Sequence, residues 1–277
     1  MNILFINKFV KPDYLNDCMF YGFTELGVNI ETTANPLYMS ENFTNKLSLY
    51  GRGFTIWCNL KSLPPVEPSP QEKIKDRYYD FIVYGSIHRD ASFLNEVLST
   101  YSKDKILVLD GEDHSRIQEY LVNKVRYYKR ENVENRSDVE SISFSIPEIK
   151  ITNDQPTKRK LYGTVIPGNI KTYVFYDEKE YYDDYANSFY GFTWKKGGWD
   201  CMRHYEIMAA GSIPCFRDLD SCPKGVMKNF PKDLILEMNK YSLKAEVPSN
   251  YFDVQKELID YTRSNLTTKK AAKEILQ

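Results

Sequence analysis

Short apolar runs, each closed by polar residues, constrain this chain more than any other feature. Residues 2–6 read NILFI, 79–84 YDFIVY and 105–109 KILVL. Such runs belong to strands buried on both faces, the habit of parallel sheets covered by helices. The first run is followed by Leu15, Met19, Phe23 and Leu26 at helical spacing, a stop at Gly27, and a strand-like segment at 28–32. That βαβ opening predicts a doubly wound α/β sheet. The first loop, 7–13, carries no G-x-G-x-x-G, which argues against a dinucleotide at the first strand.

The pattern continues along the chain. Strands are expected at 54–57 and 125–128, helices at 92–98 and 115–122, and a proline-rich loop at 62–70. Polarity and charge rise between about 131 and 160, so a connection is expected there. The expected division is 1–135, a linker at 136–160, and 161–277. The second part predicts strands at 172–176, 188–194, 213–216 and 234–236, and helices at 178–187, 200–210, 254–263 and 268–276. A chain of 277 residues is comfortable for two such units.

The charge balance, 37 Lys and Arg against 38 Asp and Glu, leaves no global basic field for nucleic acid. The five cysteines (Cys18, Cys58, Cys201, Cys215 and Cys222) form no C-x-x-C pair or zinc spacing. They point to a reducing, cytoplasmic setting. No run reaches transmembrane length, and the apolar start is too short for a signal peptide. Most of the 22 tyrosines are expected in packing rather than in sites.

Residues 195–214, KKGGWDCMRHYEIMAAGSIP, carry the densest signal: a basic loop, a helix, a glycine stop and a strand. Asp200 suits the N-cap and Gly211 the left-handed position after the last turn. At about 100° per residue, Arg203 and Glu206 share a face, with His204 at its border. A helix N-terminus preceded by Gly197 and Gly198 is an anion site in waiting, and Lys195 and Lys196 add positive potential. The plainer reading is a turn, a solvated lysine pair and an i,i+3 ion pair.

This stretch resembles the nucleotide-sugar-binding part of GT-B-type glycosyltransferases, the exostosin-like and family-1-like groups above all. Gly197, Gly198, Arg203, His204, Glu206, Gly211, Ile213 and Pro214 carry the likeness, which covers about 172–223. The resemblance implies two Rossmann-like halves of GT-B type, the second reduced, facing each other across a cleft. It implies a donor site of Lys195, Lys196, Gly197, Gly198, Trp199, Arg203, His204 and Glu206, with Arg203 at the diphosphate and Glu206 on donor hydroxyls. Pro214 stands where many retaining members carry a second glutamate, so the stereochemical course stays open.

The chain's only three histidines, His88, His114 and His204, fall near expected strand ends or in the central helix. Asp110, Gly111, Glu112, Asp113 and His114 gather three carboxylates and an imidazole after one strand. They read as a general base for an acceptor hydroxyl, as a divalent-metal site, or as a capping turn before a helix. Base candidates are Asp110, Glu112, Asp113, His114 and His88.

The expectation is a metal-independent glycosyltransferase without cofactor, using a nucleotide-diphosphate sugar as donor. The acceptor is open: a glycan, lipid, protein or modified nucleic-acid base. The alternatives are a non-catalytic Rossmann-like module binding a nucleotide or a partner, or another enzyme on the scaffold, such as a nucleotide-sugar epimerase or a phosphate-ester hydrolase.

Overall fold

Every strand pairing in the computed structural model, which describes residues 1–277, is parallel. The first sheet has six strands in the order β2-β1-β3-β4-β5-β6. They are β1 (Asn2–Ile6), β2 (Asn29–Thr32), β3 (Phe81–Tyr84), β4 (Ile106–Asp110), β5 (Arg126–Lys129) and β6 (Glu140–Ser141). β3 and β4 are buried at every position, as their unbroken apolar runs require. The second sheet has three, β7 (Lys160–Tyr162), β8 (Ser188–Thr193) and β9 (Ile213–Phe216), in that order. The molecule is thus a Rossmann-like α/β fold with one large and one small parallel sheet.

The helices are α1 (Tyr14–Glu25), α2 (Gln71–Lys75), α3 (Leu94–Thr100), α4 (Glu178–Ala186), α5 (Met202–Ala209), α6 (Lys232–Ser242), α7 (Tyr251–Asn265) and α8 (Thr268–Ile275). α1 is capped by Asp13, whose carboxylate accepts the Asn16 N–H, and stops at Gly27 with φ of +68°. α8 returns from the second half to pack on α1. A β-carbon at Gly22 would lie 2.9 Å from Ala272 Cβ and 2.7 Å from the Thr268 carbonyl carbon. Only glycine admits that approach. One core cluster runs through both halves, from Ile3 and Phe20 to Met208 and Phe216.

Five local expectations are corrected. Residues 115–122 form turns rather than a helix, held by the Gln118 N–H on the Tyr127 hydroxyl at 3.1 Å. The segment 54–57 makes no strand because Thr55 sits at φ of +71°, outside the extended region. Residues 172–176 hold part of a 3-10 turn, Ile170–Thr172, and no strand; β7 supplies the third strand instead. Residues 234–236 lie inside α6. The span 136–160 expected as linker contains β6, the edge strand of the first sheet. No helix is long and apolar enough to cross a membrane.

Candidate functional site

Loops leaving the carboxyl ends of the first sheet and of β8 in the second open onto one cleft of about 980 Å³. Parallel sheets bind ligands there, because loops leaving neighbouring strands diverge at the switch point. In the first sheet that point lies between β1 and β3, where the order reverses. Loops after β1 (Phe9 to Tyr14), β3 (Arg89), β4 (Gly111 to Asp113) and β5 (Arg130) form one wall. The opposite wall is Lys196, Gly197, Gly198, Asp200, Cys201 and Met202, the entry to α5.

Arg130 joins the walls. It is 1 % exposed, yet donates to the Gly111 carbonyl (3.0 Å), the Asp200 carbonyl (2.5 Å), Glu131 (3.0 Å) and Asp113, and its guanidinium lies over the Phe144 ring. A planar fork with five donors can serve several acceptors at once, which an ammonium cannot. The glycine pair makes this approach possible. A β-carbon at Gly198 would stand 2.5 Å from Glu131 Oε1 and 2.9 Å from Arg130 Nη1, and one at Gly197 would run into Asp113. The glycines therefore serve the closure of the two halves directly.

Asp200 does not cap α5, contrary to the sequence expectation. Its carboxylate accepts the Phe144 N–H (2.6 Å) and the Tyr205 hydroxyl (2.9 Å), while its own N–H donates to Glu131. Burial, opposed by Arg130, pushes its carboxyl up to about 6. The N-cap is Cys201, whose side chain makes no capping bond, so the first turn of α5 is left uncapped beside the cleft.

Of the expected donor-site residues, Lys196, Gly197 and Gly198 line the cleft. Lys195 is exposed outside it, its ammonium over the Trp199 ring. His204 is fully buried: Nε2–H donates to the Trp199 carbonyl (2.9 Å) and Nδ1 accepts from the Thr193 hydroxyl (2.7 Å). Both ring nitrogens are satisfied by the neutral tautomer, and burial lowers the imidazole to about 3. Trp199 and His204 thus shape the loop from within the core.

Arg203 and Glu206 lie together behind the cleft wall, without an ion pair between them. Glu206 accepts the hydroxyls of Thr55 (2.5 Å) and Tyr181 (2.6 Å). Burial foremost raises its carboxyl above the usual range. Arg203 Nη2 reaches only the Tyr173 hydroxyl, at 3.4 Å, and its Nε and Nη1 are sealed from solvent without a partner.

Of the five base candidates, Glu112 and Asp113 line the cleft, and Asp113 is held by Arg130. The Glu112 carboxylate forms no hydrogen bond or ion pair; only its N–H is engaged, on Asp110. Asp110 is buried beneath, bonded to Lys129 (2.7 Å), Tyr127 (2.6 Å) and His88 (3.1 Å). Its burial would raise it, but His88, Lys129 and Tyr127 together hold it down to about 2. His88 has its other nitrogen against Gln118, and its ring stands edge-on to His114. Neither histidine lines the cleft. No group of three or more His, Cys, Asp or Glu side chains is placed to hold a metal ion.

Sequence reasoning missed Asp13, Arg89 and Arg130 on this wall. Asp13 pairs with Arg89 at 3.3 Å, and burial raises its carboxyl despite that partner. Arg130 had one available signal: Lys129-Arg130-Glu131 directly follows the strand expected at 125–128, the position where parallel sheets place functional groups. No family model, curated protein or solved structure matches the chain.

Proposed function

We propose that the chain is a glycosyltransferase that moves a sugar from a nucleotide-diphosphate donor to an acceptor hydroxyl, its two halves arranged in the GT-B manner. The observation that carries this reading is the cleft between the two sheets, with an uncapped helix start on one wall and a free carboxylate on the other. The diphosphate would meet Lys196, the backbone of Gly197 and Gly198, and the first turn of α5. Fixed N–H dipoles and a cation favour the charge that develops on the leaving diphosphate. Asp113 and Glu131 beside the glycines are offset by Arg130, which pairs with both.

Glu112 is the base in this proposal. It faces the cleft with both oxygens unengaged, whereas Asp13 is tied to the Asn16 N–H and to Arg89. It would take the acceptor proton as the new glycosidic bond forms, and the sugar–phosphate bond breaks toward the α5 wall. Apolar side chains on the first-half wall, among them Phe9, Tyr14, Leu37 and Tyr50, would receive the acceptor's body. No metal enters this scheme.

The test is a panel of nucleotide-diphosphate sugars, read by ligand-dependent melting and by acceptor-dependent donor turnover with a chelator present. Glu112→Gln should cut turnover by about 10²–10⁴-fold and leave donor binding unchanged. Turnover that survives the substitution removes Glu112 from the chemistry. A protein stabilised by nucleotide diphosphates that never turns over a donor is a binding module instead.

A further inference from the structure

Residues 49–59, between two loops of the first half, reach across into the second. Trp57 roots them in the first half, its indole N–H on the buried Asp17 carboxylate at 2.6 Å. Arg52 donates to the main-chain carbonyls of Tyr173 (2.6 Å) and Phe175 and stacks 3.9 Å from the centre of the Tyr176 ring. Phe54 packs its ring against Tyr181. Thr55 presents its N–H to Glu178 (2.7 Å) and its hydroxyl to Glu206 (2.5 Å). The backbone conformation is unfavourable: Arg52, Thr55 and Cys58 have φ of +59°, +71° and +59°. A β-branched residue in that region is a genuine outlier, held only by what surrounds it.

Beneath this segment three buried side-chain atoms lack any partner. They are Arg203 Nε, Arg203 Nη1 and the Tyr185 hydroxyl, half of the six such atoms in the chain. They belong to one locus: Tyr173, whose carbonyl takes Arg52, has Arg203 at its hydroxyl and over its ring, and Tyr181 packs against both Phe54 and Tyr185. Buried donors without acceptors are rare in native folds, because each forfeits its hydration without return. A guanidinium is the most costly of them. Beside these free donors stands Glu206, whose carboxylate is occupied by a threonine hydroxyl from the other half.

We infer that residues 49–59 are a latch over a concealed subsite, with Thr55 holding the place of a ligand hydroxyl on Glu206 and Arg203 left free for a ligand anion. The ligand class that satisfies both is a hydroxyl-bearing phosphate or diphosphate. The inference rests on the transferase reading only for the identity of that ligand as an activated sugar. Binding exchanges one hydroxyl for another on Glu206 and supplies the missing acceptors to Arg203 and Tyr185. The latch must release for this, and relief of the strain at Arg52, Thr55 and Cys58 favours its release. A site closed part of the time binds more weakly by the closed fraction, so loosening the latch strengthens binding.

The probe is inorganic pyrophosphate, titrated by calorimetry into the full chain, with melting used to verify folding of each variant. Arg52→Ala removes the two main-chain anchors and should tighten pyrophosphate binding by about tenfold. Thr55→Ala, which removes the place-holding hydroxyl, should act in the same direction. In the Arg203→Ala background neither substitution should bring any gain. In the wild-type chain, pyrophosphate should speed amide hydrogen exchange across 49–59. Unchanged or weaker binding by Arg52→Ala overturns the latch, as does a gain that persists without Arg203, slower exchange across 49–59, or absence of binding in every variant. A chain that gates pyrophosphate in this way but transfers no sugar sinks the transferase reading and leaves the latch standing. Sugar transfer with pyrophosphate affinity indifferent to Arg52 does the reverse.

Discussion

His204 shows how a scarce residue type misleads when read by position alone. A histidine in an N-terminal helical turn beside a glycine loop looks like a ligand contact, yet its two nitrogens are used up by Thr193 and Trp199. Its role has a consequence for acid stability. The folded imidazole titrates at about 3 against an ordinary 6.5, so between those values the unfolded chain binds the proton and the folded chain does not. Stability therefore falls as pH drops below 6.5, by about 1.4 kcal/mol per unit from this group. Asp17 and Asp200, both raised by burial, slope the opposite way, so a difference between proteins is the measurement. Urea denaturation from pH 6.5 to about 4 should show wild type losing about 1 kcal/mol per unit more than His204→Gln. Parallel profiles would mean that the imidazole is charged in the fold.

At the scale of elements, the contact of α1 with α8 joins the last helix of the chain to the first. It is built on Gly22, where a side chain would collide with the Thr268 backbone. Alanine is the better helix former by about 1 kcal/mol, so on helix propensity alone Gly22→Ala would stabilise. The collision reverses that sign. A net loss of about 1–3 kcal/mol is expected, with faster hydrogen exchange throughout α8. Stabilisation, or a loss that leaves α8 protected, would show that the helices part at no cost. The glycine itself was visible in the sequence inside a helical pattern, but its reason was not. Nothing near residue 22 announces a partner almost 250 positions away.

For the molecule as a whole, the contacts that hold the two sheets together include α8 on α1, residues 49–59, and Arg130. Arg130 lines the cleft and bonds to both of its walls. Its removal leaves Glu131 and Asp200 buried without their cation. Breaking a buried pair from one side costs about 3–5 kcal/mol, and Arg130→Ala should show a loss of that size in urea denaturation. Arg130→Lys should recover little, since one ammonium cannot reach the carbonyls of Gly111 and Asp200 together with Asp113 and Glu131. A lysine variant within about 1 kcal/mol of wild type would reduce Arg130 to a simple charge partner.

The parallel sheet was legible from the runs at 2–6, 79–84 and 105–109, because burial on both faces leaves no room for polar alternation. The helix over α5 and its stop at Gly211, with φ of +74°, were legible for the same local reasons. So was the cleft wall at Lys196 to Gly198 and at Glu112 and Asp113, which follow strand ends. What local chemistry does not encode is which surface comes to lie against which. Asp200 has the residue type of a cap, but Phe144 and Tyr205 claim its oxygens. Thr55 has the look of a strand residue, but Glu206 and Glu178 hold it in a left-handed turn. Arg130 became the rivet of the cleft through acceptors up to 70 residues distant. Strand and helix follow from neighbours in sequence, whereas the identity of a polar group's partner depends on which buried donors and acceptors meet once both halves have closed.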